Sequence, residues 1–411
     1  MGAHPVMSTR PARLRALNLE NIHAEGEAAL RSAGFEVSAL PDALAENQLI
    51  EALHGVHVLG IRSNTMVTEK VLDAAPDLLA IGAYCIGTNQ IDLTAAARRG
   101  IAVFNAPFSN TRSVVELALA EIIALTRRLT EKDRDMHAGV WRKSASGAHE
   151  VRSRRLGIVG YGNIGTQLSV LAENLGMQVL FHDTADKLAL GNARRCESLE
   201  ELLAEADIVT LHVDGRRGNS GLFGEREFAL MRRRAIFLNL SRGFVVDYDA
   251  LRAHLESGHL AGAAVDVFPA EPRAVGEEFR SPLRGLPNVI LTPHIGGSTE
   301  EAQRDIGAFV GGKLADYVRS GATSLSVNLP TLTLPEVAGE HRIIHVHRNT
   351  PGVLAQINGV LAGDGVNIDA QFLGTRGEIG YVITDVGADL EQSTCDLLEK
   401  LPETIRLRVL S

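Results

Sequence analysis

The sequence predicts an α/β protein: two Rossmann-like, doubly wound parallel-sheet domains followed by a C-terminal ferredoxin-like βαββαβ domain. Three observations carry that expectation. Between Arg13 and Pro107, short apolar runs alternate with helical patterns, as in a parallel sheet covered by helices. From Leu156 to Asp183 an apolar run, a turn with Gly160, Gly162 and Gly165, an amphipathic segment and a second apolar run read as strand, glycine turn, helix and strand. The tail then gives β-α-β-β-α-β in roughly seventy residues.

The strands expected in the first sheet are RALNLE, FEVSAL, VHVLGIRS, LLAIGAYCIG and IAVFNAP. No phosphate-binding glycine pattern lies among them, so this unit is not read as the cofactor domain. Polar residues stand where its strands end, Arg62 to Thr65 and Cys85 to Asn89, and carboxyl ends of strands are where open sheets bind ligands. A long helix is expected from Thr111 to about Arg128, with Ser109, Asn110 and Thr111 as capping residues; the span Glu131 to Ser153, holding Trp141 and Lys143, reads as loop.

In the glycine turn each glycine has its own steric task. Gly160 permits the tight turn, Gly162 lets a pyrophosphate approach the backbone, and Gly165 lets the helix press on its strand. Asp183, at the end of the second strand, is placed to accept hydrogen bonds from a ribose diol and to repel a 2′-phosphate, which favours NAD over NADP. Four more strands, ADIVTLHV, AIFLNLSRG, GAAVDVF and NVILTPHIGG, complete the second sheet. A helix from Ser298 to about Gly321 leads back toward the first sheet, and a proline-marked linker precedes the tail. The expected domains are 11–109 with 298–328 for substrate, 110–297 for NAD, a linker at 329–340, and 341–411.

With 411 residues, 45% hydrophobic and 22% charged, the chain can bury ordinary cores. A net charge of −9 argues against general nucleic-acid affinity, so an anionic substrate needs a local cluster of Arg or Lys. Cys85, Cys196 and Cys395 are too few and scattered for a disulfide framework or a zinc site; no metal is expected, and a cytoplasmic compartment fits. The N-terminus lacks the apolar core of a signal peptide and reads as a mobile tail. The most apolar helix is too short, and too interrupted by Glu116 and Glu121, to span a bilayer, so no membrane is expected.

Hydride transfer between NAD and a 2-hydroxy acid needs a group to move the hydroxyl proton, a carboxylate to orient it, and a cation to hold the substrate carboxylate. His titrates near working pH, a neighbouring carboxylate raises its pKa, and Arg offers a two-pronged fork. His294, Glu271 and Arg242 supply these three, each following an expected strand of one sheet. Asp266 could hold the nicotinamide amide or fix a turn.

The runs CIGTNQIDL, FNAPFSNTRSV, LGIVGYGNIGTQL, NLSRGFVVD, AVDVFPAEP and LTPHIGGST closely resemble the D-isomer specific 2-hydroxyacid dehydrogenases, in the form with a C-terminal ACT domain. That resemblance implies NAD-dependent oxidation of D-3-phosphoglycerate to 3-phosphohydroxypyruvate, the first step of L-serine synthesis. It implies Arg242, Glu271 and His294 as the catalytic residues. It implies cofactor contacts from the turn residues Gly160, Gly162, Asn163, Ile164 and Gly165, from Asp183, from Leu240, Ser241 and Arg242, from Asp266, and from His294, Ile295, Gly296 and Gly297. On the substrate side it implies the backbone of Ile86 and Gly87, with Arg62 and the Asn64 position at the phosphate end and Lys143 reaching a neighbouring subunit. In the tail it implies L-serine as effector at His347, Asn349 and Asn367 across a domain pair, and a homotetramer.

The chain also departs from the pattern. Asn64 stands where relatives carry a second Arg, Asp214 where they have Pro, and Arg233-Arg234 where they have Pro-Gly. Arg348 and Thr350 differ from the usual charges beside the effector residues. Asn64 keeps open a different 2-hydroxy acid, including reduction of 2-oxoglutarate. A non-catalytic NAD sensor is the rival of another class; it would need no Arg242, Glu271 and His294.

Overall fold

The computed structural model describes residues 14–272, 276–334, 341–387 and 390–410; the expected tail and the linker stretch 335–340 lie outside them. Contacts divide the chain into two compact units. One joins the chain up to Ser109 with the chain from Gln303 onward, and the other is Asn110–Ala302.

In the first unit, β1 (Leu14–Asn18), β2 (Phe35–Ala39), β3 (Val58–Ile61), β4 (Ala80–Ala83) and β5 (Ala102–Asn105) form a parallel sheet in the order β2-β1-β3-β4-β5. Strands β3, β4 and β5 are buried along their whole length, which explains why they read as continuous apolar runs. The helix Glu300–Ser320 returns to this sheet as expected: a Cβ at Gly82 would stand 2.7 Å from Leu314 and Val310. Asn328 then staples the far strand, accepting from Val103 N at 2.9 Å and donating to Ile101 O at 2.8 Å.

The tail forms β13 (His341–Arg348), β14 (Ile368–Arg376), β15 (Ile379–Val386) and β16 (Thr404–Leu410), antiparallel in the order β14-β15-β13-β16, with the helices Val353–Gly363 and Gln392–Glu399 between them. The expected βαββαβ order is present. Side chains alternate across the sheet. Ile343 and Leu407 pack with Ile357 and Leu398 of the two helices, whereas Ile344, Val346, Tyr381 and Ile383 join the core around Val310, Leu314 and Tyr317. Polar bonds reinforce that junction. Arg408 donates to Val318 O at 2.7 Å and lies 5.1 Å over the Tyr317 ring, Arg406 donates to the carbonyls of Pro76 and Leu78, and Tyr381 Oη donates to Gly321 O at 2.7 Å. Arg342 pairs with Asp385 at 2.6 Å and donates to Ser320 O at 3.1 Å.

The second unit holds β6 (Arg155–Val159), β7 (Gln178–His182), β8 (Arg194–Arg195), β9 (Ile208–Leu211), β10 (Ala235–Asn239), β11 (Leu260–Val265) and β12 (Val289–Leu291). All neighbours are parallel, in the order β12-β11-β10-β9-β6-β7-β8, and strand order reverses between β6 and β9, the crevice where such sheets take ligands. The two-residue β8 was not expected.

Two local readings are corrected. The span from Glu131, expected as loop, instead begins inside a helix, Leu129–His137. Arg128 ends the helix Thr111–Arg127 in a left-handed conformation, φ 56°, and the Glu131 carboxylate grips its guanidinium at 2.6 and 2.8 Å, so the chain turns and resumes a helix. Asn110 stands at the N-cap but its side chain makes no capping bond, and Trp141 is 78% exposed.

Candidate active site

The glycine turn follows β6, and each glycine has the surroundings its role requires. At Gly160 φ is +92° and a Cβ would lie 2.7 Å from His212 O; at Gly165 it would lie 2.4 Å from Gly160 O; at Gly162 nothing lies within 4 Å. The one open glycine is therefore the one where a phosphate must approach, at the N-cap of the helix Asn163–Asn174, whose first N–H groups are free for an anion. Asn163, Ile164 and Gly165 form the first turn of that helix. Asp183 follows β7 and accepts from Tyr161 N and from Ala185 N, each at 2.8 Å, which leaves lone pairs for a ribose diol. These features fit a dinucleotide.

At the carboxyl ends of β10, β11 and β12 the structure brings Arg242, Asp266, Glu271 and His294 together. Glu271 Oε2 lies 2.9 Å from His294 Nδ1 and Oε1 accepts from Phe268 N at 3.0 Å. Burial alone would raise the Glu271 pKa, but the bonds from His294 and Phe268 and the charge of Arg242 leave it lowered. An ionised carboxylate only accepts, so Nδ1 carries the proton and Nε2 is free. The hydrogen bond to Glu271 raises the His294 pKa above its ordinary value, against the opposing effects of burial and Arg242.

His294 sits at φ +54°, a conformation a non-glycine residue keeps only when its surroundings hold it. Asp266 does the holding. Its Oδ1 accepts from Thr292 Oγ1 at 2.6 Å and Ile295 N at 2.8 Å, and Oδ2 accepts from Gly296 N at 2.8 Å. Of the two readings open for Asp266, the turn is what these contacts describe, with one lone-pair position left over. Gly297 presses close to Asn110, 2.3 Å from its Nδ2 if it bore a Cβ.

Leu240 and Ser241 are buried beneath Arg242, and Asn239 ties the segment down: Oδ1 accepts from Ser241 N and Oγ, and Nδ2 donates to Arg242 O at 3.0 Å. Gly243 lies against Phe268, where a Cβ would come within 2.0 Å of its carbonyl carbon, so the Arg242 and Glu271 segments are packed backbone to backbone. Tyr248 links both, joining Asn239 Nδ2 at 3.2 Å and donating to Val267 O at 2.6 Å. Asn239, Tyr248 and Thr292 were not singled out from sequence. Glu121, noted from sequence only as a charge interrupting the apolar helix, is buried with no hydrogen-bond partner for its carboxylate among the described residues, and its pKa is raised to about 8 by burial and the Asp266 charge.

In the other unit, Arg62, Asn64, Ile86 and Gly87 gather where β3 and β4 end. Buried Glu20 accepts from the backbone N of Arg62 at 3.2 Å, Asn64 at 2.9 Å and Thr65 at 2.9 Å. Gln90 Nε2 reaches both Arg62 O at 2.5 Å and Gly87 O at 3.3 Å, and Asn105 donates to Ile86 O at 2.6 Å. The Asn64 side chain is exposed. Lys143 is exposed and forms no hydrogen bond or ion pair among the described residues.

In the small sheet, His347 Nδ1 is 2.8 Å from Arg348 O, its Nε2 is buried without a partner, and Asn349 donates to Gly377 O at 3.1 Å. Asn367 lies elsewhere. His347 pairs with Gly380, while Ile368, next to Asn367, pairs with Val386, six residues along β15. At about 3.3 Å per residue that is on the order of 20 Å, so one copy does not bring the three together. Among the described residues no group of His, Cys, Asp or Glu could hold a metal ion, and no helix is long and apolar enough to cross a membrane.

Comparisons with known proteins agree with this geometry. Residues 119–296 match the model of the D-isomer specific 2-hydroxyacid dehydrogenase NAD-binding domain, and residues 343–406 match an ACT domain of the kind described as AHAS small subunit-like. The D-3-phosphoglycerate dehydrogenase of Haemophilus influenzae is 48% identical, over 98% of this chain and 99% of that one. That of Dictyostelium discoideum is 47% identical over 99% of each. Among solved structures, the D-lactate dehydrogenase of Aquifex aeolicus, complexed with NAD and lactic acid, is 25% identical with a TM-score of 0.65, over 74% of this chain and 95% of that one. The TT0316 protein of Thermus thermophilus is 31% identical with a TM-score of 0.69, over 76% and 100%.

Proposed function

Since the chain belongs to the D-isomer specific 2-hydroxyacid dehydrogenases, we propose that it oxidises D-3-phosphoglycerate to 3-phosphohydroxypyruvate, the entry step of L-serine synthesis. It is an NAD-dependent dehydrogenase. The observation that carries the chemistry is the 2.9 Å Glu271–His294 pair, poised with a free Nε2 beside Arg242. The substrate reading is supported by relatives of that name that match almost end to end.

NAD, when bound, would supply the acceptor for the hydride that leaves C2. Neutral His294 takes the hydroxyl proton at Nε2, and Glu271 stabilises the imidazolium that results. Arg242 holds the substrate carboxylate in its fork, with the backbone at Ile86 and Gly87 as further donors, and draws electron density from the neighbouring C2 oxygen. Arg62 takes the phosphate end, and Lys143 serves a neighbouring copy. For the reverse reaction, protonated His294 is the donor. Residues 110–297 bind NAD, through Gly162 to Gly165, Asp183, Leu240 to Arg242, Asp266 and His294 to Gly297; 11–109 with 298–328 bind substrate.

L-serine is the effector in this reading, held by His347 and Asn349 of one ACT sheet and Asn367 of a second. The wide separation of these residues within one copy supports a paired arrangement, and with paired cofactor domains it gives a homotetramer in the cytoplasm. One observation favours a second substrate reading: Asn64 is exposed and uncharged where a phosphate contact is expected. Steady-state kcat/KM for 3-phosphoglycerate, glycerate, lactate, malate and 2-hydroxyglutarate, with and without L-serine, tests both. Preference for an unphosphorylated acid would overturn the substrate; no effect of saturating L-serine on rate or melting temperature would overturn the effector.

A further inference from the structure

The edge of the cofactor sheet opposite His294 holds a second concavity. A cavity of about 170 Å³ opens at the amino ends of β6, β9 and β10, well below the roughly 300–1,000 Å³ of a pocket for a drug-sized ligand. Arg128, Arg154, Arg232, Arg233, Arg234 and His149 line it, against one carboxylate, Asp207. In a chain of net charge −9 this concentration of guanidinium groups runs against the overall balance.

Much of the local charge is already committed. Arg128 is held by Glu131, Arg232 reaches Asp207 Oδ1 at 2.6 Å, and Arg154 stands 3.9 Å from the same oxygen. Arg233 and Arg234 are exposed, and neither side chain has a hydrogen bond or ion pair among the described residues. Arg234 also keeps φ at +67°, a conformation that glycine adopts without strain, while its N–H is tied to His259 O at 2.6 Å. A long cation thus stands where a residue without a side chain would sit more easily. The lining therefore includes two arginines whose guanidinium groups have no partner among the described residues.

We propose that this cavity binds a compact polyanion of the bisphosphate or pyrophosphate kind, separately from the cofactor and the substrate. Two guanidinium groups on successive lining residues, with no partner among the described residues, match two linked phosphates, each able to take a two-pronged contact. The inference is independent of which acid the enzyme oxidises.

Calorimetric titration of pyrophosphate into the full-length protein, saturated with NADH and at fixed ionic strength, tests it. Arg233→Gln/Arg234→Gly, in which glycine suits the left-handed position, should bind at least about tenfold more weakly than the parent. Arg252→Gln, which removes a distant exposed charge, should bind like the parent. Equal affinity in the parent and the double variant would overturn the site, as would equal weakening in Arg252→Gln, since either would mean nonspecific or other-site binding. If the double variant melts markedly lower, Arg233→Gln alone, with the 234 backbone untouched, should still weaken binding at least about threefold; an unchanged affinity there also overturns it.

Discussion

Replacing Glu271 by Gln probes the proton relay with little change of shape. The new side chain can keep the 3.0 Å bond from Phe268 N through its oxygen, but it then turns an amide NH2 toward His294 Nδ1, 2.9 Å away. Two donors cannot share that position, so Nδ1 must become the acceptor and the ring proton must move to Nε2, the atom that has to receive the substrate proton. The variant also loses the hydrogen bond that is the largest cause of the raised His294 pKa. Positioned acid–base catalysis contributes about 10²–10⁴ in rate, or about 3–5 kcal/mol at 1.36 kcal/mol per decade. Oxidation needs neutral His294, so its rate rises with pH through that raised pKa, and losing the carboxylate moves the acid limb to lower pH. The assay is kcat and kcat/KM for oxidation from about pH 6 to 10, with the NADH Kd alongside. A kcat within about threefold of the parent and an unmoved acid limb would refute the relay.

Two further outcomes follow from buried or held groups. Glu121 keeps a proton up to about pH 8 in the folded chain but only to about 4.5 when unfolded, so its contribution to stability is full below about 4.5 and is lost as pH rises toward 8. Glu121→Gln should therefore raise the melting temperature more at about pH 8 than at about pH 5; an equal shift at both would contradict the assignment. Asn64→Arg changes a side chain whose loop is held through its backbone by Glu20, so the loop should stay in place. KM for 3-phosphoglycerate should fall by about three- to tenfold, or about 0.7–1.4 kcal/mol, with little change for glycerate. Equal changes for both acids would show that position 64 does not meet the phosphate end.

The parts of the site that were legible in the sequence are those whose chemistry is local. Gly160, Gly162 and Gly165 declare themselves because each lacks a Cβ for a different steric reason, and Asp183 stands at the end of its own strand. Arg242 and His294 could be placed because apolar runs ending in polar residues mark the ligand edge of a parallel sheet. What fixes those groups was legible only for Asp266, and there only as one of two readings. Asp266 grips a loop 29 residues downstream, Glu20 holds one 42 to 45 residues away, and Asn239 and Tyr248 form a buried network whose members look like ordinary strand and helix residues. Spacing alone does not reveal that a carboxylate is spent on backbone N–H groups. The helix Leu129–His137 was missed for a related reason: its residues other than Leu129 and Met136 are polar and none is buried, so it carries no apolar stripe.

The junction between the ACT sheet and the first sheet bears on how such a chain can be shortened or recombined. Carbonyl groups of Pro76, Leu78, Val318, Ser320 and Gly321 take their hydrogen bonds from side chains of Arg406, Arg408, Arg342 and Tyr381, and Val310, Leu314 and Tyr317 are covered by the same sheet. A gene truncated after the linker would strip partners from the dehydrogenase half and bare part of its core to water. Loss of the regulatory module is therefore not a single evolutionary step. It requires polar substitutions on the helix Glu300–Ser320 to arrive with it, and a graft of this ACT domain onto another dehydrogenase must bring that helix face along.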